Sequence, residues 1–226
     1  MDAWTTIAEA AERCGLAAHG AFRLDDEERR GALAGGATIA LLGLDRARGW
    51  MAFSASPEAL DGGADPLDRW SRRVVDALAE TLGARALYPF GGPPHWPFQR
   101  WAMRAEPVHA SPLGLLIHPV DGLWRGYRGA LVFAEALATP PTPRAPSPCE
   151  RCAGRPCLSA CPVGAFSGAG YDVAACVAHL DRPAGRACAT GGCLARRACP
   201  VGADRGHRPD QAAFHMAAFL AARRGA

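Results

Sequence analysis

Nine cysteines stand in a chain of 226 residues, and eight of them fall between Cys149 and Cys199. Thiolates are soft ligands, and so dense a set points to a metal site rather than to disulfides, which a reducing compartment disfavours. The stretch contains an internal repeat. Cys152 to Ala165 reads CAGRPCLSACPVGA and Cys188 to Ala203 reads CATGGCLARRACPVGA, aligned end to end with a two-residue insertion after Leu194. In each copy four residues separate the first two cysteines, and Pro-Val-Gly-Ala follows the last. Cys149 precedes the first copy at C-x2-C spacing and Cys176 precedes the second at a longer distance, so each half supplies four thiols. Two chemistries use such sets: a four-thiolate structural zinc site, which leaves the repeat and the paired Cys-Pro unexplained, and a pair of 4Fe-4S clusters.

The order of the cysteines matches bacterial two-cluster ferredoxins, in which three cysteines of one motif and the closing cysteine of the other bind a common cluster. By that rule Cys149, Cys152, Cys157 and Cys199 hold one cluster, and Cys176, Cys188, Cys193 and Cys161 hold the other. Pro162 and Pro200 lack backbone donors and bend the chain away after each crossing cysteine. Asp172 is placed to cap a short helix, Val173 to Leu180, that carries Cys176. His179 sits on a neighbouring face of that helix, where it either lines the cluster or meets solvent. The four-residue gap between the first two cysteines of each repeat departs from the usual C-x2-C-x2-C-x3-C-P spacing, which leaves cluster type and potential open.

Charge follows the same boundary. Residues 149–226 hold ten Arg against five acids, a net of +5, whereas residues 1–148 have a net of −2. Nucleic-acid binding is one explanation of the basic half. Two four-iron clusters, each bringing about two negative charges with its thiolates, account for it better. The chain has no Lys, so every basic side chain is Arg, a compositional habit more than a binding signal. With 49% hydrophobic and 21% charged residues it is expected to fold as one medium or two small domains rather than as a disordered or fibrous chain. No stretch reaches the roughly 18 apolar residues of a membrane helix, and the acidic start, with Asp2 and Glu9, does not suit a signal peptide. A soluble, cytoplasmic protein with no membrane partner is expected. Cys14, alone at the end of an amphipathic stretch, reads as a small buried apolar residue.

The elements that must carry these residues divide at Thr139 to Pro148, TPPTPRAPSP, a stiff, extended connector. The expected organisation is an α/β layer domain over 1–138, the connector over 139–148, and a small Cys-rich domain over 149–226 ending in a helix, an α+β protein overall. Upstream, helices are expected over Trp4 to Cys14 and over Pro66 to Leu82, the latter capped by Asp65 with Pro66 at its first position. Strands are expected over Ala37 to Leu42, Ala84 to Tyr88, Leu113 to His118 and Ala130 to Phe133, the last two joined through Pro119 to Gly122 as a long hairpin. The segment Pro89 to Trp101, PFGGPPHWPFQRW, fits neither helix nor strand. It is either a rigid wall of a ligand pocket, with His95, Trp96 and Arg100 as contacts, or a packed loop whose aromatics fill the core. His118 reads as a solvated or hydrogen-bonded turn residue rather than a ligand.

With these residues in place, the chain resembles the iron-sulfur half of epoxyqueuosine reductases and the related corrinoid-dependent reductive dehalogenases. There too a lone helical Cys lies between a four-Cys motif and a three-Cys motif ending in Cys-Pro. Leu113 to Leu137, LGLLIHPVDGLWRGYRGALVFAEAL, and the Pro-rich link into Cys149 resemble the hairpin and linker of that family; Ile7 to Phe22 and Ala37 to Gly43 match more loosely. The resemblance implies a nitroreductase-related, cobalamin-binding α/β domain beside a dicluster ferredoxin-like domain that feeds it electrons. The pocket wall would then be Pro89 to Trp101 with the hairpin, and Arg100 or Arg104 would meet the polar groups of the corrinoid. The family's Asp-bearing substrate segment has no counterpart in the stretch His95 to Pro107, which contains no Asp, and only 27 residues follow Cys199. Epoxyqueuosine chemistry on tRNA is therefore not expected. The leading expectation is an electron-transfer protein with two 4Fe-4S clusters and a redox partner protein; the alternatives are a small corrinoid-dependent reductase and a zinc-stapled interaction module.

Overall fold

The computed structural model describes residues 2–142 and 145–224. Pro143 and Arg144, part of the expected connector, lie outside them; Thr139 to Thr142 and Ala145 to Ser147 carry neither helix nor strand. The chain divides into two units, Met1–Pro107 with Gly126–Arg144, and Val108–Arg125 with Ala145–Ala226. This corrects the expected boundaries. The stretch Val108–Arg125 belongs with the Cys-rich unit, although it lies far upstream of the connector.

The first unit contains α1 (Ala3–Arg13), β1 (Leu16–Arg23), α2 (Asp26–Arg30), β2 (Thr38–Leu44), α3 (Gly49–Ser54), α4 (Pro57–Leu60), α5 (Pro66–Leu82), β3 (Arg85–Leu87) and α6 (Phe98–Ala105). The second contributes β4 (His109–Ala110) and β5 (Leu116–Ile117) before the chain returns to the first for β6 (Tyr127–Phe133). The second unit then continues with α7 (Pro156–Ser159), β7 (Phe166–Ser167), β8 (Gly170–Tyr171), α8 (Val173–Leu180), α9 (Arg186–Gly191), α10 (Leu194–Arg197) and α11 (Pro209–Arg224). Mixed helix and sheet agree with the expected α+β class.

In the first unit the strands form one antiparallel sheet in the order β1-β2-β6-β3. Every residue of β2 from Thr38 to Gly43 is buried, so both faces of the sheet are covered at its centre. Helix α5 packs on β6 and buries Trp70, Val74, Val75 and Leu78, an i, i+4 stripe of the kind that makes a helix amphipathic. Its expected bounds are those observed. Asp65 does stand at its N-cap position, but in the left-handed region at φ 47° and with its side chain accepting no capping hydrogen bond, contrary to expectation. Arg128 on β6 donates from Nε to the buried Ser71 hydroxyl at 2.9 Å and pairs with Asp68, tying α5 to the sheet. Asp2 caps α1 by accepting from Thr5 N at 2.8 Å, and Cys14 is the C-cap of that helix, half-buried rather than buried as expected.

The long hairpin does not form. β5 is only two residues long and pairs with β4, while β6 lies between β2 and β3, so the two expected hairpin strands are in different units. The reason lies in what each apolar stretch meets. Leu113, Ile117 and Leu123 share a small core with Ala195 and Cys199 of the second repeat, whereas Ala130 to Phe133 are buried in the sheet of the first unit. The turn itself exists: His118 and Gly122 exchange backbone hydrogen bonds of 2.8 and 2.9 Å, and the His118 ring nitrogen Nδ1 accepts from the amides of Val120 and Asp121. Expected as a loop throughout, Pro89 to Trp101 gives way to α6 at Phe98. Trp101 and Phe98 are buried by that helix, which makes the segment partly core.

Within the second unit the Val108–Arg125 stretch is held against the second repeat by backbone proximity and by charge. A Cβ on Gly122 would stand 1.9 Å from the Val201 carbonyl oxygen, and one on Gly202 would stand 2.6 Å from the Asp121 backbone. Arg196 donates to the Leu123 carbonyl from Nε at 3.1 Å and from a terminal nitrogen at 2.8 Å, and its guanidinium lies 4.3 Å from the Trp124 ring centroid. Asp121 receives Arg125 at 2.9 Å and Arg205 at 3.3 Å. Gly122 also has φ +59°, so Gly122→Ala meets both strain and collision. It should destabilise the second unit by about 1–3 kcal/mol, read as a lower urea midpoint. An unchanged midpoint would show that the Gly122 to Val201 contact is not formed in solution.

Candidate metal centre

Short elements carry the eight cysteines of the two motifs, with Cys188 and Cys199 buried and the other six half-buried. Ser147 and Pro148 open a single 3-10 turn that carries Cys149, with the Ser147 hydroxyl accepting from Cys149 N at 3.3 Å. Cys157 lies in the four-residue α7, which Pro156 starts, and Cys161 follows it. Asp172 caps α8 as expected, accepting from Ala175 N at 2.9 Å, and Cys176 rides on the first turns of that helix. Cys188 is on α9, Cys193 immediately precedes α10, and Cys199 follows it. Helices this short are held by their tertiary neighbours, not by propensity.

Each thiol feels particular others. Burial, first, pushes the Cys149 thiol up, and Cys199 and Cys152 add to this, against the Ser147 hydroxyl and Arg155. Cys157 is raised by burial and then by Cys199, Cys149 and Cys152. Cys176 is raised by burial and by Cys161 and Cys188, and Cys193 by burial and by Cys188 and Cys176. So Cys199, from the end of the second repeat, keeps company with Cys149, Cys152 and Cys157. Cys161, from the end of the first, acts on Cys176, as Cys188 does, while Cys149, Cys157, Cys161 and Cys193 all pack against the small core that holds Cys199. The physical meaning is repulsion: a second thiolate beside a first costs energy, so the neighbouring sulfurs favour the protonated form at Cys149, Cys157, Cys176 and Cys193.

Polar hydrogens are directed at several of the sulfurs. Ala165 N donates to Cys161 Sγ at 3.3 Å, the amides of Ala195 and Arg196 favour the Cys193 thiolate, and the Tyr171 hydroxyl favours the Cys176 thiolate. Arg196 places a buried positive charge beside Cys193. None of Tyr171, Arg196 or Ser147 was singled out from the sequence. The signal for Tyr171 was present in Phe166 to Asp172, FSGAGYD, an aromatic pair flanking a Gly-rich turn and followed by a capping Asp. His179 is half-buried, with its Nε2 shielded and without a hydrogen-bond partner. Among the described residues no group of three or more His, Cys, Asp or Glu is gathered so as to hold a single metal ion. A four-iron cube spreads its thiolates over four irons and does not ask for such a point, whereas four thiolates on one zinc, each at about 2.3 Å, stand only ~3.8 Å apart.

The residues named for the upstream pocket are not gathered. His95 and Arg100 are exposed, and Trp96 stacks on Trp101 at 5.8 Å between centroids. Arg104 is engaged by Glu28 and by the Arg23 carbonyl and lies over the Phe22 ring. A cavity of about 400 Å³ in the same unit is lined by Asp26, Arg29, Arg30, Gly35, Gly36 and Ala134, none of them among those residues. No helix among the described residues is long and apolar enough to cross a membrane.

No family model matches the chain, and no curated protein matches its sequence. Among solved structures, selenomethionine-labelled epoxyqueuosine reductase is similar: the TM-score is 0.59 at 15% identity, over 92% of this chain and 68% of that one. At that identity the likeness establishes a shared fold.

The grouping of the thiols makes Cys161 informative, because it sits in the first repeat but beside the thiols of the second. Cys161→Ser should cut iron uptake on anaerobic reconstitution by about half, removing the spectrum of the quartet with Cys176, Cys188 and Cys193. The signals of the other quartet should persist; their loss instead would reverse the grouping.

Proposed function

We propose that this chain is an electron-transfer iron-sulfur protein of ferredoxin type, carrying two 4Fe-4S clusters in its second unit and serving a redox partner protein in the cytoplasm. What carries this reading is the internal repeat, whose two copies each close in Cys-Pro-Val-Gly-Ala and with Cys149 and Cys176 supply eight thiols; the influence of Cys199 on Cys149 and Cys157, and of Cys161 on Cys176, supports the crossed assignment. The donor set fits the group: eight soft ligands in two sets of four, with amide and hydroxyl donors on the sulfurs and a basic unit around them. Cys149, Cys152, Cys157 and Cys199 would hold one cluster, and Cys161, Cys176, Cys188 and Cys193 the other. When bound, such clusters accept and release single electrons. The protein's own part is to give up the thiol protons on loading, to balance the added negative charge with Arg155 and Arg196, and to keep the sulfurs half-shielded from water.

A second reading is favoured by the shared fold: a small corrinoid-dependent reductase, in which the clusters would feed a cobalamin held by the first unit. The residues named for that cofactor do not fit it. His95 and Arg100 are exposed, Trp96 is engaged with Trp101, and the hairpin meant to form the facing wall is absent. The electron carrier is therefore the preferred function.

Anaerobic reconstitution with iron and sulfide, followed by titration with cobalamin, separates these readings. The expected result is about eight iron and eight sulfide per chain, a brown absorption that bleaches with dithionite, and no change in the corrinoid bands at tens of micromolar cobalamin. Retained cobalamin would move the function to the reductase. A colourless, zinc-loaded protein of full stability would leave only a metal-stapled interaction module.

A further inference from the structure

The cavity of about 400 Å³ in the first unit serves neither the proposed clusters nor the expected pocket wall. Its lining residues, Asp26, Arg29, Arg30, Gly35, Gly36 and Ala134, meet because α2 and the turn after it connect β1 to β2, at the end of the sheet where β6 finishes. Backbone bonds fix that end: Leu24 N donates to the Ala37 carbonyl at 2.9 Å, Ala37 N to the Phe133 carbonyl at 2.7 Å and Gly36 N to the Leu33 carbonyl at 3.0 Å. Gly36 is pressed on the sheet, where a Cβ would stand 2.5 Å from Val132 Cγ1. Gly35, at φ +79°, faces open space, since a Cβ there would meet nothing within 4 Å. Its amide donates to no carbonyl or side chain among the described residues. The charges around α2 are unequally engaged. Glu28 completes a capping box with Asp25 and receives Arg104, and Arg23 donates to the Leu137 carbonyl at 3.3 Å. Arg29 and Arg30 have no such partner: among the described residues neither guanidinium meets a carboxylate or donates a hydrogen bond, although Asp26 lies three and four positions before them on α2.

We infer that this cavity binds a phosphorylated sugar or a similar polyol phosphate, with Arg29, Arg30 and the Gly35 amide on the phosphate and Asp26 on a hydroxyl. A phosphate monoester brings about 1.5–2 negative charges near neutral pH and three strong acceptor oxygens. Guanidinium forks match such oxygens two at a time, and a backbone amide adds a donor that no side chain obstructs at a glycine. Asp26 only accepts hydrogen bonds when ionised, so it turns a second phosphate away and holds a hydroxyl instead. The lining offers Ala134 and two glycines as its apolar contact. An aromatic base or a macrocycle finds no flat apolar wall there, unlike the mostly apolar pockets that hold such ligands. The volume lies within the range of small-molecule pockets and exceeds what a bare phosphate fills. The inference is independent of the two-cluster reading and gives the first unit a ligand of its own.

The test uses the full chain, isotope-labelled at glycine, and titrates it with ribose-5-phosphate, ribose and inorganic phosphate in turn, by calorimetry and by amide shifts in nuclear magnetic resonance. Ribose-5-phosphate should bind saturably, one per chain, at millimolar concentration or below, and move the Gly35 and Gly36 amides. Inorganic phosphate should bind more weakly and ribose not at all. Arg29 and Arg30 are exposed, so Arg29→Gln and Arg30→Gln should keep the spectrum of the rest of the unit while each weakens the ester about tenfold. Asp26→Ala should bring the ester and inorganic phosphate closer to equal affinity. Ribose-5-phosphate that does not saturate, ribose that binds as well as its phosphate, or a Gly35 amide that stays in place on binding overturns the inference. Affinity unchanged in both arginine variants overturns it too. Inorganic phosphate binding as tightly as the ester to the unaltered chain also overturns it, by reducing the cavity to a general anion cradle.

Discussion

Thiols packed beside one another in a partly buried unit cannot all ionise unless positive charge is brought among them. In each quartet burial and the neighbouring sulfurs work in the same direction, against ionisation. Amide hydrogens, the Ser147 and Tyr171 hydroxyls and Arg155 oppose that tendency without cancelling it, since the net direction at Cys149, Cys157, Cys176 and Cys193 remains upward. A cation bound by the thiolates inverts this balance. On the proposed two-cluster reading the second unit is organised around such a group, and its Arg surplus would balance the thiolates once they form.

The two units reach order by different routes. The first has large buried side chains, among them Trp50, Phe53, Trp70, Phe98 and Trp101, and a sheet covered on both faces. The buried apolar residues of the second are fewer and smaller, with Ala165, Ala195, Ala212, Cys188 and Cys199 among them. Its helices apart from α8 and α11 are six residues or shorter. Such a unit gains from cross-links what it lacks in core, and on the proposed reading thiolate coordination would be that cross-link.

What could be read from the sequence was what depends on local order or on exact repetition. Helix α5 was legible to the residue because Pro66, Gly83 and the stripe from Trp70 to Leu78 all act within a few positions. The eight thiols in two motifs were legible because the repeat is written in the order of the residues. The hairpin expectation failed because Leu113 to His118 and Ala130 to Phe133 have the same apolar pattern, and nothing local says that one of them packs on Ala195 and Cys199, some eighty residues further along. Strand β1 was missed for a related reason: its small residues suit a tight contact rather than a strand preference, as Gly20 shows by leaving only 2.4 Å between a Cβ and the Ala105 carbonyl oxygen. The pocket expectation relied on composition alone, and the aromatics of Pro89 to Trp101 were used for packing in and around α6.

The excursion of Val108–Arg125 means that the chain passes between the units three times, after Pro107, after Arg125 and after Arg144. A gene cut at the Pro-rich segment would not yield a transplantable cassette. The downstream piece would lose Leu113, Ile117 and Leu123 from its core, and the upstream piece would carry them with no use for them. Modules joined by a single connector can be shuffled by recombination; here inheritance must keep both together, as an interleaved pair.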